Sequence, residues 1–105
     1  MNSWIVLFLA GLFEVSWAIG LKFTHGFSKI LPSILTIAGM SFSFLFLSLA
    51  LKKLPLSVAY AVWTGIGIAG TSILGVLIFN EAVSTSKIVF VTFIVIGIIG
   101  LRLSQ

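Results

Sequence analysis

Residues 11–17 read Gly11-Leu12-Phe13-Glu14-Val15-Ser16-Trp17, a carboxylate in the middle of a run otherwise suited to lipid. The flanking residues, Trp4 to Ala10 and Ala18 to Leu21, carry no charge. A run of about 20 apolar residues is the length of a membrane-spanning helix. An ionised side chain at bilayer depth costs roughly 2.5–3.5 kcal/mol on insertion scales, so acids found there face a bundle interior or a water-filled cavity and do a task. Glu14 is the only acid in any of the chain's four apolar segments.

The rest of the chain has the same character. Of its 105 residues 60% are hydrophobic and 8% charged, where a soluble domain is about 25% charged. The formal charge of +4 comes from 6 basic residues against 2 acids. On so apolar a background it marks membrane topology, not nucleic-acid binding. There is no cysteine, hence no disulfide framework, thiolate metal site or thiol nucleophile. The first apolar segment differs from a cleaved signal peptide: no basic residue precedes it, Lys22 follows it, and an acid sits at its centre.

The chain reads as an all-α integral membrane protein, a single four-helix transmembrane domain over residues 1–105, with helices at about 4–21, 30–51, 56–79 and 88–103. Trp4 suits the headgroup level. Pro32 suits the first turn of helix 2, where a missing N–H costs nothing, and Pro55 the start of helix 3. Ser84 or Thr85 fits an N-cap of helix 4. No segment alternates as a barrel strand would.

The charges at the two membrane faces balance. With four helices, Lys52, Lys53 and Arg102 fall on one side, and Lys22, Lys29 and Lys87 on the other. Lysine and arginine bias sets orientation. A difference of 3 − 3 = 0 leads to the expectation that the chain inserts both ways.

Around Glu14, Gly11 and Trp17 lie three residues to either side, on one helical face. Gly11 is expected to leave space above the carboxylate, and Trp17 offers an indole N–H and a flat ring. Burial disfavours the charged form of a carboxylate, which suits Glu14 to trading a proton for a cation. No helix interior holds a lysine or arginine to pair with it. In helix 3, Tyr60, Trp63, Gly67 and Gly70 share a face. Trp63 could stack on a cation, and the Tyr60 hydroxyl could bond Glu14 or gate access to it; both could equally be bundle packing. Ser57, Ala61, Gly65 and Ala69 form a small-residue stripe for close helix approach, and Gly65 with Gly67 predicts a bend or hinge. Ser43 could donate to Glu14, although a membrane serine more commonly bonds its own helix. Helix 4, with Gly97 and Gly100, reads as a packing helix between subunits. His25 reads as a solvated loop residue and Glu81 as a surface acid beside Lys87.

One chain of four helices leaves little room for a sealed, water-filled path, whereas two copies supply it. Two-fold dimers are the commonest assemblies. Two-way insertion makes the natural pair antiparallel, the inverted-repeat logic of larger transporters achieved with two chains. The two Glu14 side chains would then meet near mid-membrane. Like charges that close cannot both ionise cheaply without a cation.

These residues resemble a known family. Gly-Leu-Phe-Glu-Val-x-Trp in helix 1, Lys-Phe-x-x-Gly-Phe after it, Leu-Pro-x-x-x-Ala-Tyr-Ala-x-Trp-Thr-Gly-Ile-Gly in helix 3 and Gly-Ile-Ile-Gly-Leu near the end are similar to the small multidrug resistance transporters, over essentially the whole chain. The resemblance implies a proton-coupled exporter acting as an antiparallel, dual-topology homodimer in a bacterial inner membrane. Within the family the pattern resembles the guanidinium exporters more than the quaternary-ammonium drug exporters, chiefly through Trp17, with Gly11 and Met40 in support. It implies that Glu14 binds guanidinium and protons and that Ser43 and Trp17 hydrogen-bond and orient Glu14. It further implies that Trp63 lines the site and that Tyr60 links binding to conformational change. Arg102 stands where the subtype more often has lysine. A planar guanidinium matches a carboxylate in a bidentate way, while a quaternary ammonium offers no N–H and relies on aromatic faces.

The expected partners are therefore a guanidinium-type cation, protons, lipid and a second copy, with no cofactor, metal or nucleic acid. Two rivals stand beside this: a quaternary-ammonium or aromatic-cation exporter on the same scaffold, and a non-transporting membrane subunit. An enzyme is least in keeping with the sequence, which has no nucleophile–base pair or metal cluster.

Overall fold

A segment crossing lipid must satisfy its backbone polar groups internally, and a helix does so within one run. The computed structural model describes residues 2–104. It contains α1 (Ser3–Phe23), α2 (Ile30–Ala50), α3 (Leu56–Phe79) and α4 (Thr85–Leu103). All four are long and apolar enough to span a membrane. At 1.5 Å per residue they reach roughly 28–36 Å, matching a hydrocarbon core of about 30 Å.

Polar residues at the ends fix where the helices begin. The Asn2 side chain accepts from the Trp4 N–H at 2.7 Å. Ser84 caps α4 by accepting from the Lys87 N–H at 3.1 Å, so a polar first turn, Thr85-Ser86-Lys87, precedes the apolar run. Pro32 lies in the first turn of α2, and Pro55 is the N-cap of α3. The α1–α2 join is held by buried Thr24, whose hydroxyl donates to Leu21 O at 2.8 Å and accepts from the Phe27 N–H at 3.2 Å. That turn puts His25, Gly26 and Phe27 at φ 49°, 72° and 64°. Gly26 takes this conformation without steric cost; His25 and Phe27 are held there by the Thr24 bonds.

Helix α1 is the hub. It packs on both α2 and α3, while α4 packs on α3. Phe13 stacks on Phe42 and Phe46, with ring centroids 5.6 and 5.5 Å apart. The core, Val6, Leu7, Ala10, Ala50, Val58, Ala59, Val62 and Trp63, fills the end where α1 and α3 begin and α2 finishes. The Arg102 guanidinium lies over the Trp4 ring there, 5.1 Å from its centroid. At the opposite end Glu81 sits between Lys22 and Lys87, 3.7 Å from each ammonium. Buried apolar packing is thus concentrated at one end of the bundle, and a cluster of ion pairs marks the other.

Helix α3 is continuous, and only part of its small-residue stripe is packed within one chain. The helix runs from Leu56 to Phe79 without a break at Gly65 or Gly67. Gly65 is instead where α4 comes close: a Cβ there would lie 2.6 Å from Ile98 Cδ1. The small-residue stripe does not pack as a unit, because Ser57 and Ala61 are exposed. Helix α4 buries no residue. The whole measures 41 × 34 × 18 Å, a slab one to two helices thick.

Candidate functional site

Glu14 leaves α1 toward α3 and meets it at Gly67. A Cβ on Gly67 would stand 2.6 Å from the Glu14 carboxyl carbon and 3.1 Å from its Cγ. The carboxylate therefore occupies the space a side chain would need, and Gly67 is the residue that makes room for it. Beside it is a cavity of about 260 Å³ lined by Glu14, Trp17, Ala18, Thr64, Gly67, Ile68 and Thr71. A water takes about 30 Å³ of liquid, so the space suits a small cation or several waters. Glu14 Oε1 and Trp17 Nε1 are both buried atoms without a hydrogen-bond partner. An acceptor and a donor left unmade at one cavity are costly in an apolar setting. They mark a place prepared for a polar occupant.

The other expected residues divide. Gly11 does not open space over the carboxylate; it lies under Ile66, whose Cγ2 would be 2.6 Å from an added Cβ. Its smallness lets α1 and α3 approach. Ser43, fully buried, does not bond Glu14. Its hydroxyl donates to Ala10 O at 2.8 Å and accepts from the Trp63 indole N–H at 3.0 Å. A single side chain on α2 thereby ties α1 to α3, because a hydroxyl can donate and accept at once. Trp63 is buried and locked by this bond, with Phe44 5.8 Å and Tyr60 5.6 Å away between ring centroids. Tyr60 is 55% exposed and packs on Trp63 instead of reaching Glu14. Trp17 also stands edge-on to Phe44 at 6.3 Å, so one aromatic row runs Trp17, Phe44, Trp63, Tyr60.

Thr64 and Thr71 line the cavity and went unremarked in the sequence. The available signal was their spacing from Gly67, three residues before and four after, which puts all three on one helical face. Thr71 and Ala18 also line a second cavity of about 320 Å³ that includes Lys22, Ser72, Phe79, Glu81 and Lys87. The groove beside Glu14 therefore leads toward the charged end of the bundle.

Residues 2–94 match the sequence pattern of the family described as Small Multidrug Resistance protein. The chain belongs to that family. Among similar proteins, a guanidinium exporter of Proteus vulgaris is 52% identical over 103 residues, 98% of this chain and 99% of that one. Guanidinium exporters of Citrobacter freundii and Salmonella typhimurium are each 56% identical over 102 residues, 97% of either chain. With four apolar helices and this family, the small multidrug resistance chain is a multi-pass membrane protein.

Proposed function

We propose that this chain exports guanidinium and small guanidinyl compounds across the bacterial inner membrane in exchange for protons, as an antiparallel homodimer. The observation that carries the reading is the Glu14 carboxylate: lodged against Gly67, beside a cavity of about 260 Å³ with room for a small cation and waters, with one buried oxygen unpartnered. A carboxylate accepts a guanidinium edge through two parallel N–H bonds. The same oxygens accept protons, so cation and proton compete for one site. Two Glu14 residues per dimer mean at most two protons released for each cation bound. The relatives named guanidinium exporters, more than 50% identical over nearly the whole chain, point to the same substrate.

The antiparallel pair is supported by the even split of charge between the two faces, and by α4, an apolar helix with no buried residue. It is supported too by a bundle whose ends differ, one holding the apolar core and the other a charged groove. Two such bundles side by side and inverted give each membrane face one apolar-packed end and one groove-bearing end. Exchanging the two conformations then moves the site's access from face to face. In this mechanism Trp17 donates to Glu14 and covers the substrate. Ser43 acts through Trp63, holding its ring in the aromatic row that continues from Trp17. Tyr60, packed on Trp63, transmits occupancy to the surface between copies.

Uptake by proteoliposomes under an imposed proton gradient tests the substrate. Guanidinium should accumulate and a tetra-alkyl ammonium should not. Accumulation of the tetra-alkyl ion alone would replace this reading by the quaternary-ammonium one. Accumulation of neither would leave a non-transporting subunit.

A further inference from the structure

We propose that Thr64 and Thr71 are specificity-determining residues that accept the guanidinium N–H groups Glu14 leaves unpaired; this rests on the exporter reading above. Guanidinium is planar and offers N–H donors all round its edge. One carboxylate takes one pair. The remaining donors need acceptors, because a hydrogen bond left unmade away from water costs more than a made one gains. The Trp17 indole cannot help, since it is only a donor.

The two threonine hydroxyls can. Each hydroxyl has one proton and two acceptor lone pairs, and in both the proton is already committed. Thr64 Oγ1 lies 2.8 Å from Tyr60 O, and Thr71 Oγ1 lies 2.7 Å from Gly67 O. This bond to the preceding turn is the usual resting place of a threonine proton in a membrane helix. What each oxygen keeps for the cavity is acceptor capacity. Both residues line the Glu14 cavity. They lie one turn to either side of Gly67 on its own face, about 10 Å apart along the axis at 1.5 Å per residue, too far for one cation to bond both at once, so each serves a cation that leans to its side of the carboxylate opposite Gly67. An acid flanked by two neutral acceptors suits a cation with donors on every edge. A quaternary ammonium would strip water from both oxygens and return nothing, the situation in which hydrogen-bonding sites reject an analogue most strongly.

The test is binding to the purified dimer, followed by tryptophan fluorescence, with guanidinium and N,N-dimethylguanidinium as probes. The dimethyl compound keeps the edge that meets Glu14 and lacks the donors on its third nitrogen. Thr71→Val and Thr64→Val keep the side-chain shape and remove the acceptor. Together they should weaken guanidinium about fivefold, as loss of one ordinary hydrogen bond would, and should weaken dimethylguanidinium less. Thr71→Ser and Thr64→Ser should restore guanidinium binding, which a mere packing role would not predict. The inference is overturned if the double valine variant does not weaken guanidinium, if serine fails to rescue, or if both probes weaken equally. Wild-type protein that ignores guanidinium altogether overturns the exporter reading and this inference with it.

Discussion

Gly67→Ala should separate assembly from function. In the structure, the three atoms nearest the new Cβ all belong to the Glu14 side chain. The methyl therefore collides with the functional acid and spares the α1 and α3 backbones. Overpacking of this kind costs about 1–3 kcal/mol when neighbours must leave their rotamers. Alanine in place of glycine gains back up to about 1 kcal/mol of helix propensity. The fold thus loses little, since the long Glu14 side chain can swing aside. Guanidinium binding loses the whole displacement: at 1.4 kcal/mol per decade, 1–3 kcal/mol is about five- to 150-fold in affinity. Titrating guanidinium against purified wild type and variant, with size-exclusion profiles recorded in parallel, measures both halves. A variant that elutes like wild type and binds about tenfold or more weakly is the expected result. Unchanged affinity would mean that Glu14 does not use the space over Gly67 when it binds, and the site geometry argued above would be wrong.

Ser43→Ala strands the buried Trp63 indole N–H and removes a second bond from Ala10 O, which keeps its helical partner; it should cost about 1–3 kcal/mol of stability, seen as an earlier unfolding midpoint in denaturing detergent. An unshifted midpoint would show that the three-helix tie is worth nothing. Glu81→Gln removes two ion pairs at 3.7 Å on a residue with 42% of its side chain exposed. Exposed pairs contribute about 0–1 kcal/mol each, so assembly and guanidinium flux should both survive, in contrast to any change at Glu14. Abolished flux would move Glu81 into the transport machinery. Gly97→Leu and Gly100→Leu meet open space within one chain, no atom lying within 4 Å of an added Cβ. They should spare helix content by circular dichroism but abolish the dimer in cross-linking; an intact dimer would take α4 out of the interface.

The four helices and the importance of Glu14 were legible because both are one-dimensional signals: run length against bilayer thickness, and a charge where charge is expensive. Which helix packs on which was not. In lipid a helix can be apolar all round, and small residues, not an amphipathic stripe, mark the contacts. Gly11, Gly65 and Gly67 looked alike in the sequence. Only the register between α1, α3 and α4 decides that the first sits under Ile66, the second under Ile98 and the third over the carboxylate. For Ser43 the sequence leaves Glu14 and its own helix as partners; the choice of Ala10 and Trp63 depends on how far α2 is rotated. Thr64 and Thr71 passed unnoticed because intrahelical back-bonding is the ordinary fate of a membrane threonine; their value comes from the cavity they share.

The central claim is that one acid per protomer exchanges protons for guanidinium. Its most direct measurement is proton movement driven by a guanidinium gradient in proteoliposomes, for wild type and Glu14→Gln side by side. Wild type should acidify or alkalinise the lumen in the sense opposite to guanidinium flow, and Glu14→Gln, while still dimeric, should carry no coupled flux. Guanidinium flux without proton counterflow in wild type, or coupled flux that persists in Glu14→Gln, would contradict the account.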